Sequence, residues 1–171
     1  SFDGSKIVSV MQEIEAHNTK VLSAVPAFSG LNASQINILR DAMSAAKFAQ
    51  DEYVFEQGAY GDAFYLITCG YAEVLRVDPN DPTQEEVTIA QLSESDCFGE
   101  LALLRNEPRA ASIVAASTLD VLFITRADFE KHLGPLSNFQ LAEYDGVVHS
   151  EGRQAEQPGL EQDAGHVKRY D

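Results

Sequence analysis

Between residues 53 and 125 the chain falls into short apolar or β-branched runs: YVF at 53–55, AFYLIT at 63–68, YAEVLRV at 71–77, EVTIAQL at 86–92, SIVAA at 112–116 and LDVLFIT at 119–125. The intervals are Gly58 to Asp62, Cys69-Gly70, Asp78-Pro79-Asn80-Asp81-Pro82 and Ser93 to Asp96. These are rich in turn formers, which interrupt strands through their backbone preferences and local hydrogen bonds. Many short strands joined by turns predict an antiparallel barrel or sandwich.

Helical spacing flanks this region on both sides. Ile7, Val10, Met11 and Ile14 recur at intervals of three and four, which predicts a short amphipathic helix over 5–16. Past Val25-Pro26 and Ser29-Gly30, the stretch Asn32-Ala33-Ser34-Gln35 offers a capping signal ahead of Ile36, Leu39, Met43 and Ala46, again on one helical face. After the last strand run, Thr125 with Asp128 marks a helix to Leu133, closed by Gly134-Pro135. Leu141, Tyr144 and Val148 share a further helical face, weakened by Gly146. Residues 149–171 carry no apolar period, so a polar, mobile tail is expected there. The expected division is a helical segment over 1–24, one domain over 25–148 and the tail over 149–171.

A chain of 171 residues suits one domain with a real core plus an extension. Its 44% hydrophobic and 23% charged residues match an ordinary globular protein. Twelve Lys and Arg against twenty-seven Asp and Glu give a net charge of −15. That field repels polyanions, and no basic patch is segregated to reverse it, so nucleic acid is not an expected partner. The longest apolar runs are only a few residues, and the amino terminus has neither an h-region nor a cleavage site. Neither membrane insertion nor secretion is expected, which makes the cytoplasm the expected location. Cys69 and Cys97 have no paired Cys or His spacing around them and read as free thiols. His17, His132, His149 and His166 stand in no ligand spacing, so no metal or cofactor is expected. Opening on Ser1 rather than Met fits an excerpt or processed product of a longer chain.

The stretch from Phe98 to Ser112, FGELALLRNEPRAAS, interrupts the strand series with a brief helix-prone segment. Gly99 at its entry lets backbone come close to a ligand, and the following residues present N–H groups suited to an anion. Arg109, held after Pro108, supplies a local positive charge in a protein whose global field opposes anions. Glu100 beside an anion is unfavourable unless it accepts from a hydroxyl of the same ligand, and a sugar phosphate carries both groups. Taken singly, Gly99 reads as a turn, Glu100 as a solvated carboxylate and Arg109 as a surface cation. Only their joint register points to a ligand.

That register closely resembles the phosphate-binding cassette of cyclic nucleotide-binding domains, in the pattern FGE-L-A-L followed by P-R-A-A. Upstream, Gly58-Ala59-Tyr60-Gly61-Asp62-Ala63-Phe64-Tyr65-Leu66-Ile67 and Gly70 look like the family's second signature. The resemblance covers roughly 20 to 148 and is nearest to the carboxy-terminal cAMP-binding domain of protein kinase A regulatory subunits. It implies a mainly β fold: an eight-stranded, jelly-roll-like antiparallel β-roll between about 48 and 125. Helices would precede it, a cassette helix at 99–104 would interrupt it, and lid helices would follow. It also implies that Glu100 accepts from the ribose 2′-hydroxyl and that Arg109 bonds the exocyclic phosphate oxygens. Backbone amides around Leu101, Ala102 and Ala110, with Ala111 beside them, would complete the cradle, and Gly99 would permit close approach. On this reading Arg109 belongs to the ligand and not to the core, and Arg105 points to solvent.

Sites preferring cyclic GMP resemble one another in carrying Thr or Ser directly after the cassette arginine. Here that place is Ala110, which favours cyclic AMP; Ala90, where some guanine-selective sites have an arginine, points the same way. An aromatic residue from the closing helix stacks on adenine in the family, which makes Tyr144 the candidate base cap, although a tyrosine on an apolar face is ordinarily core. Tyr60 and Phe64 read as packing, and the Gly61-Asp62 turn fits a structural or a functional role equally. The implied function is a cAMP-preferring regulatory domain of a cAMP-dependent protein kinase regulatory subunit. Ligand binding would rearrange the lid helices and release or activate an effector, with a kinase catalytic subunit as the implied partner.

Three alternatives carry other expectations. An enzyme is disfavoured by the lack of a metal cluster, a P-loop and a nucleophile elbow. A cyclic AMP-responsive transcription factor would need a helix-turn-helix, and only twenty-three polar-rich residues follow Val148. The third is the same fold binding cyclic GMP, another nucleoside or small anion, or serving as a ligand-free scaffold.

Overall fold

The computed structural model describes residues 4–135. The chain opens with α1 (Gly4–Ser23), a single 3-10 turn (Pro26–Phe28) and α2 (Ala33–Ala42). Then come β1 (Ser44–Phe48), β2 (Tyr53–Phe55), β3 (Ala63–Cys69), β4 (Ala72–Val77), β5 (Glu86–Leu92) and β6 (Cys97–Phe98). A short helix, α3 (Leu101–Leu104), precedes β7 (Ser112–Ala115) and β8 (Leu119–Thr125), and α4 (Arg126–Leu133) follows at once. The strands form two four-stranded sheets, ordered β1-β8-β3-β6 and β2-β7-β4-β5, with every pairing antiparallel. This is the eight-stranded antiparallel β-roll with flanking helices that the resemblance implies.

All six strand-prone runs are strands. Two further strands carry no signal of their own. The helical face expected to reach Ala46 stops at Ala42, because Met43 is extended (φ −74°, ψ 145°) and Ser44 to Phe48 pair with Phe123 to Leu119. Long-range pairing overrides local helical spacing here. β6 is only two residues long and is held by Tyr65 and Leu66 of β3. Helix α1 runs past the expected 5–16 because Asn18, Val21 and Leu22 bury its last turns, while Ile7, Val10, Met11 and Ile14 remain exposed. Among the described residues no helix is long and apolar enough to cross a membrane. Tyr144, the helical face around it and the expected tail at 149–171 lie outside the described residues.

The helix ends follow their cap chemistry. Asn32 Oδ1 accepts from the Gln35 amide at 2.9 Å while the Asn32 amide donates to Gln35 Oε1 at 2.8 Å, and losing such a cap costs about 1 kcal/mol. Thr125 Oγ1 accepts from the Asp128 amide at 3.2 Å, and Gly134 closes α4 through its amide to the Glu130 carbonyl at 2.8 Å.

Two apolar clusters hold the domain. One joins the helices to the first sheet through Leu22, Val25, Phe28, Leu39, Phe64, Leu103 and Phe129. Phe28 meets Phe64 edge-on at 5.1 Å and stacks on Phe129 at 6.1 Å, so truncating it to Ala would cost about 3–5 kcal/mol. The second cluster contains Ile67, Val74, Leu92, Phe98, Ile113 and Val121. The cassette contributes Leu103 to the first cluster and Ala111 to the second. The segment that interrupts the strands is therefore anchored in both.

Candidate functional site

β6 ends at Phe98, and Gly99 turns the chain out of the sheet with φ +84°. A Cβ at Gly99 would lie 2.8 Å from the Ala63 carbonyl oxygen and 3.3 Å from Arg109 Nη1. Both the backbone angle and the space therefore demand glycine. Glu100 follows in helical conformation (φ −66°, ψ −27°) and is 1% exposed. Its charge adds to that of Asp96 in pushing up the Cys97 thiol, whose rise comes first from complete burial. Leu101 and Ala102 are buried behind it. The Ala102 amide donates to the Gly99 carbonyl at 3.1 Å, the Leu103 amide to Glu100 at 3.1 Å and the Arg105 amide to Leu101 at 2.8 Å.

Arg109 is fixed at both backbone and side chain. Its amide donates to the Ala59 carbonyl at 2.8 Å, and its carbonyl accepts from the Gly58 amide at 2.7 Å. Pro108 forms a bridge with Tyr60 just before it. The guanidinium is 3% exposed, donates from Nη2 to the Ala63 carbonyl at 3.1 Å, and stands 4.0 Å above the Phe55 ring. The expectation that Arg109 stands apart from the core is thus corrected: its carbonyl and ring contacts offset part of the cost of burying a cation. Tyr65 senses that cation: burial holds its phenol above the ordinary range, and Arg109 offsets only part of the rise.

Gly99 lies against the Arg109 guanidinium and immediately precedes Glu100, so the buried cation and the buried carboxylate flank one glycine. Ala110 is half-buried and Ala111 fully buried. Arg105 is half-buried, with Nη1 4.0 Å from Glu107 Oε2. Tyr144 lies outside the described residues.

The family model for the cyclic nucleotide-binding domain matches residues 45–134. The chain belongs to the cyclic nucleotide-binding domain family. It is 38% identical over 124 residues to the cAMP-dependent protein kinase regulatory subunit of Aspergillus fumigatus, covering 72% of this chain and 29% of that one. It is 36% identical over 117 residues to that of Blastocladiella emersonii, covering 68% and 28%. The chain spans less than a third of the length of these curated relatives. Among solved structures, it is similar to the regulatory domain of Toxoplasma gondii PKA with cAMP: TM-score 0.59, 27% identity, 76% of this chain and 49% of that one. It is also similar to the regulatory subunit of a cAMP-independent protein kinase A from Trypanosoma cruzi bound to guanosine: TM-score 0.57, 29% identity, 72% and 43%.

Within this cyclic nucleotide-binding domain, Phe55 and Arg126 lie against the cassette although the sequence did not single them out, and Gly61 joins them from a turn that fitted a structural or a functional role equally. Phe55 reads only as part of a strand, yet carries the guanidinium. A Cβ at Gly61 would lie 2.8 Å from Arg109 Nη2, so a larger residue there would displace the guanidinium. Arg126, the first residue of α4, donates through Nη2 to the carbonyls of Ala102 and Arg105, the latter at 3.0 Å. One sequence signal does exist for it: a cation in the first turn of a helix opposes the helix dipole and asks for another reason to be there.

Proposed function

We propose that this domain binds cyclic AMP and serves as a regulatory module of a cAMP-dependent protein kinase regulatory subunit. The observation that carries the reading is Arg109, a 3% exposed guanidinium in a chain of net charge −15, set beside the buried Glu100. A buried cation is best repaid by an anion that stays buried with it, and guanidinium presents paired donors to two phosphate oxygens. Glu100 then accepts from the ribose 2′-hydroxyl, which a cyclic nucleotide places next to its phosphate. Leu101, Ala102 and Ala110 contribute backbone near the phosphate, and Gly99 admits it closely. Ala110 lacks the hydroxyl that would favour guanine, so adenine is preferred. Tyr144 is the candidate cap on the base.

The cassette and α4 share one apolar cluster through Leu103 and Phe129. A ligand that draws the cassette inward changes the seating of α4 and of the residues after it, which alters the surface offered to a kinase catalytic subunit. The role is regulatory and non-catalytic, in the cytoplasm, with no cofactor beyond the ligand.

A second reading is a nucleoside site, motivated by the Trypanosoma cruzi relative bound to guanosine. A neutral nucleoside has no phosphate oxygens to take the paired donors of the guanidinium, which ranks it second. Titration calorimetry with cyclic AMP, cyclic GMP, adenosine and guanosine separates the readings. Tightest binding of cyclic AMP is expected. Tighter binding of either nucleoside would replace the first reading with the second, and no heat with any of the four would leave a scaffold.

A further inference from the structure

Helix α3 has four residues, so its carbonyls depend on partners outside it. Arg126 Nη2 donates to two carbonyls at that end, Ala102 and Arg105. The same residue opens α4, and its own amide, otherwise an orphan of the first turn, donates to the Asp62 carbonyl at 2.8 Å at the foot of β3. One residue therefore ties three pieces together: the cassette by its side chain, the sheet by its amide, and α4 by position. A guanidinium suits this task because its terminal Nη2 carries two N–H donors held in one plane, one for each carbonyl. Its charge is also favourable at a helix's carbonyl end, the reverse of its position on its own helix.

We propose that Arg126 is a positioning residue, a polar latch that makes the cassette and the first turn of α4 move as one body when ligand enters. The inference rests on the cyclic nucleotide reading for its regulatory meaning, while the latch itself acts with or without ligand. Leu103 and Phe129 supply apolar adhesion between the two elements, which permits sliding. Arg126 adds the directional contact that fixes their relative placement. Because its acceptors are backbone carbonyls, side-chain changes at Ala102 or Arg105 leave the latch intact.

The test compares the full chain with Arg126→Ala, Arg126→Lys and Arg105→Ala by hydrogen exchange, with and without saturating cyclic AMP. Without ligand, the amides of 103–105 are expected to exchange about tenfold faster in Arg126→Ala than in wild type, the scale of one charge-assisted hydrogen bond. Arg105→Ala is expected to match wild type there, and Arg126→Lys to fall between. With ligand, protection across 129–133 is expected to change in wild type and in Arg105→Ala, and to stay unchanged in Arg126→Ala. Wild-type exchange in the cassette of Arg126→Ala, or a full α4 response in that variant, overturns the latch. Calorimetry on the same samples keeps the two proposals apart. If wild type binds no cyclic AMP, the functional reading falls, and the ligand-free exchange at 103–105 alone decides for or against the latch.

Discussion

The guanidinium carbon of Arg109 lies 4.0 Å from the centroid of the Phe55 ring. The charge proposed to meet the phosphate is thereby held inside the domain by the protein's own contacts. Arg109→Ala should weaken cyclic AMP binding by about 2–5 kcal/mol, roughly 30- to several-thousand-fold, because one partner of a buried charge pair is lost. Lysine should restore only part, keeping the charge without the paired donors. Since the ring and the Ala63 carbonyl also lose a partner, ligand-free stability should fall by about 1–3 kcal/mol in a denaturant titration. The ligand-induced stabilisation should collapse as well. Arg105→Ala is the internal control and should bind nearly normally; the opposite ranking of the two arginines would mean the cassette register is wrong.

Gly61→Ala tests the same guanidinium from the other side. Its Cβ would lie 2.8 Å from Nη2, so the arginine must swing away or the turn must shift. Affinity for cyclic AMP should drop about tenfold with the fold intact, since a displaced contact at the ligand costs on the order of one hydrogen bond. In an Arg109→Ala background the same change should do almost nothing further, a non-additivity that calorimetry on the double variant reads directly. An additive loss would place the effect of Gly61 elsewhere.

The sequence already discloses the strands that turn formers delimit and the cassette whose FGE and PRAA ends carry its chemistry. β1 stays hidden because Ser44-Ala45-Ala46-Lys47-Phe48 continues the spacing of α2 and owes its conformation to β8, which lies far along the chain. Phe55 and Arg126 stay hidden for a related reason. A ring under a cation is also an ordinary strand residue, and a bond to a backbone carbonyl leaves no trace in the acceptor's side chain. What sequence conveys well here is local punctuation and the register of the cassette, whereas the contacts that support the cassette exist only once the chain has folded.

For specificity, Ala110→Thr should improve cyclic GMP binding by about 1–2 kcal/mol, the net value of one added hydrogen bond, while cyclic AMP binding changes little. Ala110 is half-buried, so a hydroxyl fits there without displacing core. Competition between the two nucleotides measures the ratio. No gain for cyclic GMP would show that the base lies away from Ala110.

Cys97 makes stability depend on pH in a defined direction. Burial, then Glu100 and Asp96, push its thiol well above the ordinary range, so the folded state holds its proton where the unfolded chain releases it. Its contribution is complete below the unfolded thiol's pKa of about 8.5 and declines above it as the unfolded state ionises. Denaturant midpoints should therefore fall between neutral and alkaline pH with a slope that Cys97→Ala reduces. A thiol reagent should label the exposed Cys69 in the native state and reach Cys97 only after unfolding. An unchanged slope in the variant would assign the alkaline loss to other groups.

β8 stands between β1 and β3 in the first sheet, and this order sets a timetable for a chain made from its amino terminus. β4 and β5 are neighbours in sequence and can pair as a hairpin soon after synthesis. Among the described residues β1 pairs with β8 alone, so it waits until residues 119–123 have emerged. Until then β1 is unpaired and β3 offers an open edge, the kind of surface that captures other chains. A ribosome stalled before Leu119 would thus hold a species with a finished cassette sequence and an unclosed barrel, and its fate would rest with chaperones rather than with any nucleotide.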